Sequence, residues 1–219
     1  MLYSISRIIL VMPIALLTRF RVRGRDNVPR QGPLIVVSNH LNLFDPLFIW
    51  VGLGRRAVFI AKEELFRPRL VGFFMGMLGS FPVSKGRLDR KTFRQTMQLL
   101  TDSQALVIFP EGMRSQNGRL KPAFPGAALV AQRSGAPIIP IGITGSEKLK
   151  GLSWLWHRPE ITVNIGQAFT LPPVNNKLTK EELAKFTDSI MLSIARLVPH
   201  KYRGYYADKE NRRTYDNKN

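Results

Sequence analysis

The chain has 219 residues, 44% hydrophobic and 22% charged, which suits a single globular domain and excludes a disordered polymer. Lysine and arginine number 33 against 15 acidic residues, a formal net charge of +18, so anionic partners are expected: nucleic acid, acidic lipid headgroups or phosphorylated substrates. Cysteine is absent, which excludes disulfides, thiolate nucleophiles and zinc–thiolate sites.

Residues 8–17 (IILVMPIALL) form an apolar run preceded by Arg7 and followed by Arg19, Arg21, Arg23 and Arg25. The run is shorter than the roughly 20 residues a membrane span needs, and Pro13 interrupts it. No small-residue cleavage site follows it. Residues 1–25 therefore read as a segment lying in a membrane interface, with the arginines among anionic headgroups; a buried core helix is the alternative. Short β-branched or apolar runs then predict buried strands at 34–38, 57–61, 81–84, 105–109, 138–143 and 161–165. Helices are predicted at 45–53, where Pro46 suits a first turn, at 90–100, and at 125–133 ahead of Ser134-Gly135. A last helix opens on the capping-box sequence Thr179-Lys-Glu-Glu182 and closes at Pro199. Alternating elements of this kind predict an α/β fold with a mixed, largely buried β-sheet flanked by helices. Residues 26–200 read as that domain, and 201–219 as a basic, flexible tail.

Three histidines are present, and His40 stands out because it follows the first buried strand, in Asn39-His40-x4-Asp45-Pro46. Sites in α/β sheets form at strand ends. An aspartate on one ring nitrogen would fix the tautomer and leave the other nitrogen to take a proton from an alcohol. A strand-end histidine beside a helix-capping Asp45 is the plain alternative. A second cluster, Phe109-Pro-Glu111-Gly112-Met113-Arg114-Ser115, follows another buried strand. Arg114 is suited to holding a phosphate, Gly112 to a sharp turn, and Glu111 to a substrate hydroxyl or to orienting the arginine. A surface turn with an incidental Glu–Arg pair is the alternative there.

The two clusters, at this interval, resemble the signature motifs of the lysophosphatidate acyltransferase (1-acylglycerol-3-phosphate O-acyltransferase) family. Lys62-Glu-Glu-Leu-Phe66 with Gly79-Ser-Phe-Pro-Val-Ser-Lys85-Gly86 resembles the family's glycerol-phosphate-binding region. Ala136-Pro-Ile-Ile-Pro140-Ile-Gly-Ile143 resembles its proline-bearing fourth block, and the likeness runs from about Val22 to Gly166. The resemblance implies that His40 is the general base and Asp45 its partner, and that Glu111 and Arg114 contact the acceptor while Gly112 shapes the loop. It also implies a further phosphate contact from among Lys62, Lys85 and Arg87; Lys85, with Arg87 nearby, stands where the family often has arginine. It implies lysophosphatidic acid as acceptor, an acyl-CoA or acyl carrier protein thioester as co-substrate, no metal or other cofactor, and attachment to an anionic membrane surface on the cytoplasmic face.

Three other readings compete. Another lysolipid acceptor would use the same motifs. Nucleic-acid binding would explain the charge, yet no binding module is recognisable and only Lys201-Tyr-Arg-Gly-Tyr-Tyr mixes bases with aromatics. A serine hydrolase would want a Gly-x-Ser-x-Gly turn, which the sequence lacks. Residues 65–78 are an apolar stretch suited to an acyl pocket, a second membrane contact or a core helix.

Overall fold

The computed structural model describes residues 14, 16–62, 67, 72, 76, 80–83, 89–174 and 178–209. Among the described residues seven strands make one sheet: β1 (Arg19–Arg23), β2 (Leu34–Ser38), β3 (Ala57–Lys62), β4 (Phe81–Val83), β5 (Ala105–Ile108), β6 (Ile138–Thr144) and β7 (Glu160–Ile165), in the order β1-β7-β6-β2-β5-β3-β4. All neighbours run parallel except β6 and β7. The described helices are α1 (Asp45–Leu53), α2 (Arg90–Thr101), α3 (Gly126–Ser134), α4 (Trp154–His157), α5 (Lys180–Ala195) and α6 (His200–Arg203).

Alternation along the central strands builds a core on each face of the sheet. Leu34 and Val36 of β2 face one way with Val107 of β5, and meet Phe48 and Ile49 of α1. Ile35, Val37 and Leu106 face the other way, and meet Leu100 of α2, Ala128 of α3 and Ile190 and Ile194 of α5. Both faces are covered, which is why these strands read as continuous apolar runs rather than as alternating ones. The predicted capping box is present: the Thr179 hydroxyl accepts from the Glu182 amide while Glu182 accepts from the Thr179 amide.

Two boundaries differ from expectation. Arg19, Arg21, Arg23 and Arg25 do not continue the N-terminal segment: the first three belong to edge strand β1, paired in parallel with β7. Phe20 and Val22 pack inward while Arg21 meets Glu160 at 3.1 Å across the pair. Arg25 donates to the carbonyls of Val51 and Gly52 at 2.7 and 2.9 Å, closing the C-terminal end of α1. Charged side chains on an edge strand also deter pairing with another chain. The second correction concerns 201–209, which are not a loose tail. Tyr202 and Tyr206 are buried in the core over α5, the Tyr205 amide donates to the Leu120 carbonyl, and Lys209 pairs with Asp188. The membrane-interface reading of residues 1–13, the apolar stretch at 65–78 apart from Arg67, Gly72 and Gly76, and the tail beyond 209 lie outside the described residues.

Candidate active site

β2, β5 and β6 are neighbours and parallel, so the loops that follow them leave the sheet from one edge. In the first of these loops, the Asn39 amide side chain continues the β2–β6 pairing. It donates to the Ile143 carbonyl at 2.9 Å and accepts from the Ile143 amide at 2.7 Å. This fixes the chain direction at the next residue, His40.

Asp45 begins α1 and folds back onto the loop it closes. Its Oδ2 accepts three hydrogen bonds: from Nδ1 of His40 at 2.8 Å and from the amides of Leu41 and Asn42 at 2.6 and 2.7 Å. The carboxylate is 0% exposed, and its Oδ1 has no hydrogen-bond partner among the described residues. With Nδ1 donating to the carboxylate, a neutral imidazole keeps its lone pair on Nε2. The ring stacks on Phe109, the residue after β5, with centroids 4.1 Å apart, and its side chain retains 16% exposure. A five-residue spacing, a helix start and an aromatic platform thus hold one imidazole in one orientation.

The β5 loop locks the backbone on either side of that ring. Ser115 donates its amide to the His40 carbonyl at 2.7 Å, and the His40 amide donates to Oε1 of Glu111 at 3.3 Å. Oε2 of Glu111 accepts from the Lys121 amide at 2.9 Å. Gly112 carries φ of 66° and turns the chain back so that its amide reaches the Phe109 carbonyl at 3.0 Å, a conformation that costs glycine little. Glu111 is 2% exposed, and both its oxygens are engaged by backbone. Bracing of the two loops is thus what the geometry shows of it, where an acceptor contact was expected. Arg114 is exposed and makes no hydrogen bond or ion pair with the described residues. Because Ser115 is tied to His40, that guanidinium starts one residue from the base. Lys62 ends β3, with its side chain outside what is described; Lys85 and Arg87 lie outside the described residues altogether.

Burial pushes the Glu111 carboxyl up to about 7, against the opposing pull of the Lys121 and His40 amides. Between the ordinary carboxyl range and pH 7 the folded protein therefore holds a proton that the unfolded chain has lost. Stability from this group is complete at acidic pH and disappears as pH rises through about 7. Glu111→Gln stays neutral throughout, so it should remove this slope, a difference on the order of 3 kcal/mol between the two ends of the window. Urea denaturation at several pH values checks it; a parent and variant with parallel pH profiles would contradict it.

Asn39, Phe109 and Asn42 do work that the sequence reading did not assign. The Asn42 side chain donates to the Leu149 carbonyl at 3.2 Å and joins the base-bearing loop to the loop after β6. Asn39 and Phe109 adjoin the motif residues, and that adjacency was the available signal.

A chloroplastic 1-acyl-sn-glycerol-3-phosphate acyltransferase of Brassica napus is 32% identical over 133 residues, which are 58% of this chain and 38% of that one. The 1-acyl-sn-glycerol-3-phosphate acyltransferase of Streptococcus pneumoniae is 28% identical over 78% of this chain and 63% of its own length. The alpha form from Homo sapiens is 30% identical over 85% of this chain and 67% of that protein. The chain thus spans between about a third and two thirds of these relatives. In fold it is similar to the crystal structure of the 1-acyl-sn-glycerophosphate acyltransferase of Thermotoga maritima, with a TM-score of 0.61 and 23% identity over 83% of this chain and 73% of that one. A model of the Acyltransferase family matches residues 19–144, from the start of β1 to the end of β6 and through both loops of the site. With more than half of its length so matched, the chain belongs to the Acyltransferase family.

Proposed function

We propose that the chain transfers a fatty acyl group from a coenzyme A or acyl carrier protein thioester to the free hydroxyl of 1-acylglycerol-3-phosphate, forming phosphatidic acid. The observation that carries this reading is the 2.8 Å bond between His40 and buried Asp45, at a sheet edge where Arg114 stands exposed. The names of the relatives agree with it. Nε2 of His40 takes the hydroxyl proton as the acceptor oxygen attacks the thioester carbonyl. The new ester bond forms, the carbon–sulfur bond breaks, and the thiolate leaves with the proton returned by the imidazolium. Asp45 keeps the tautomer and stabilises the transient positive charge. A thioester is activated already, so holding both substrates together removes much of the remaining barrier without a covalent acyl-enzyme. Glu111 acts by holding the His40 and Lys121 backbones, and Lys62, Lys85 and Arg87 are proposed to share the phosphate with Arg114.

Attachment to the cytoplasmic face of a membrane is part of the proposal. No described helix is long and apolar enough to cross a bilayer, and the +18 charge favours an anionic surface.

Arg114→Ala should raise KM for the phosphorylated acceptor roughly tenfold to a hundredfold, the range for one charge-assisted hydrogen bond, with a smaller change in kcat. A monoacylglycerol acceptor, which lacks the phosphate, should respond little. Steady-state kinetics on both acceptors tests the assignment, and an equal loss on both would remove the phosphate role.

A further inference from the structure

The exposed large hydrophobic side chains among the described residues lie on connections at one edge of the sheet. Phe44 lies on the His40 loop, Met113 on the Glu111 loop, and the Phe124 amide is bonded to the Pro110 carbonyl just beyond β5. Leu152 and Trp156 lie in the connection after β6. Leu16 lies three residues before the start of β1, whose first residue is level with Glu160 at the start of β7. Because β7 runs against β6, that end of β1 is at the same sheet edge. Tyr205, the remaining member, is tied through its amide to Leu120 in the loop after β5.

Leu152 and Trp156 are the extreme members, 77% and 88% exposed. The connection that bears them is held from beneath: Leu149 is in the core with Ile14, Trp154 packs against the same cluster, and the Leu149 carbonyl accepts from Asn42. Trp154 turns inward while Trp156, two residues on, turns out. Residues 148–158 contain no acidic residue and include the exposed Lys148, Lys150 and Arg158. The nearest acids are engaged, Glu147 by the Tyr202 hydroxyl and Glu160 by Arg21. Tryptophan with an adjoining leucine and a rim of lysines suits the boundary between lipid headgroups and acyl chains.

We infer that this edge of the sheet is the membrane-docking face and that the Leu152–Trp156 turn is its anchor, inserted among the headgroups of an anionic bilayer. The choice of a lipid surface as occupant rests on the acyl-acceptor reading above. The anchor then places the open side of His40 toward the plane in which a lysolipid lies, through the Asn42–Leu149 bond that joins the two loops.

The absence of native cysteine allows a single reporter. Leu152→Cys carrying an environment-sensitive fluorophore is compared with Asp102→Cys, at the opposite edge ahead of β5, on vesicles of phosphatidylcholine with roughly 30% phosphatidylglycerol. The label at 152 should shift to the blue and the label at 102 should not. In the unlabelled protein, Leu152→Ser with Trp156→Ser should weaken vesicle binding roughly tenfold or more and leave turnover of a water-soluble short-chain acceptor unchanged. A protein that binds vesicles while the label at 152 keeps its spectrum in water overturns the inference. So does a double variant that binds as tightly as the parent, or a blue shift that needs only added carrier protein or a higher concentration of the chain itself. These vesicle measurements do not depend on turnover, so a protein that docks in this way yet transfers no acyl group would refute the activity and leave the docking face standing.

Discussion

His40→Ala is expected to slow acyl transfer roughly 10²–10⁴-fold, the range a general base contributes, in a protein that still folds. The fold should survive because the backbone of His40, not its ring, makes the bonds to Glu111 and Ser115. Loss of the ring removes the stack on Phe109 and one of the three donors to Asp45, while the Leu41 and Asn42 amides keep that carboxylate anchored. The change should appear in kcat far more than in KM, since the proton moves only as the new bond forms. Rate measurements beside a thermal denaturation curve separate this from unfolding. Turnover within a fewfold of the parent would remove His40 from the chemistry.

Asp45→Asn should lose roughly 10²–10³-fold in rate by a different route. All three donors meet Oδ2, so an asparagine can place its carbonyl oxygen there and keep every bond, the one that sets the tautomer included. The amide nitrogen then takes the position of Oδ1, which has no partner among the described residues. A buried unsatisfied donor costs about 1–3 kcal/mol, so this variant should be less stable as well as slower. The opposite flip would aim the amide hydrogens at the Leu41 and Asn42 amides and is the worse arrangement. What is lost is therefore the negative charge that favours the imidazolium, with orientation preserved. Chemical denaturation and kcat together test this, and a variant as stable and as fast as the parent would contradict it.

The central sheet was legible because strands buried on both faces announce themselves as unbroken apolar runs, as at 34–38 and 138–143. Helix α1 was legible through Pro46 in its first turn, and α5 through its capping box. Strand β1 was not, because Arg-Phe-Arg-Val-Arg becomes a strand only by pairing with β7, some 140 residues away in sequence. The same holds for 201–209, where two tyrosines in a basic stretch gain burial only against α5 and the loop near Leu120. Within the site, the His40–Asp45 pair is a local loop closed by a helix start, and spacing suffices to suggest it. The bracing by Glu111 depends on the Lys121 amide ten residues on, and no pattern in the sequence specifies which hydrogen bonds a buried carboxyl will find.

The most direct test of the account is identification of the product. Purified protein is incubated with 1-acylglycerol-3-phosphate beside a panel of other lysolipids, with acyl-CoA and acyl carrier protein thioesters, and the lipids are read by mass spectrometry. The account predicts phosphatidic acid, bearing the acyl chain of the thioester, in the parent and its near absence with His40→Ala. Free fatty acid formed without any acceptor, or acylation of a different lysolipid in preference, would contradict it.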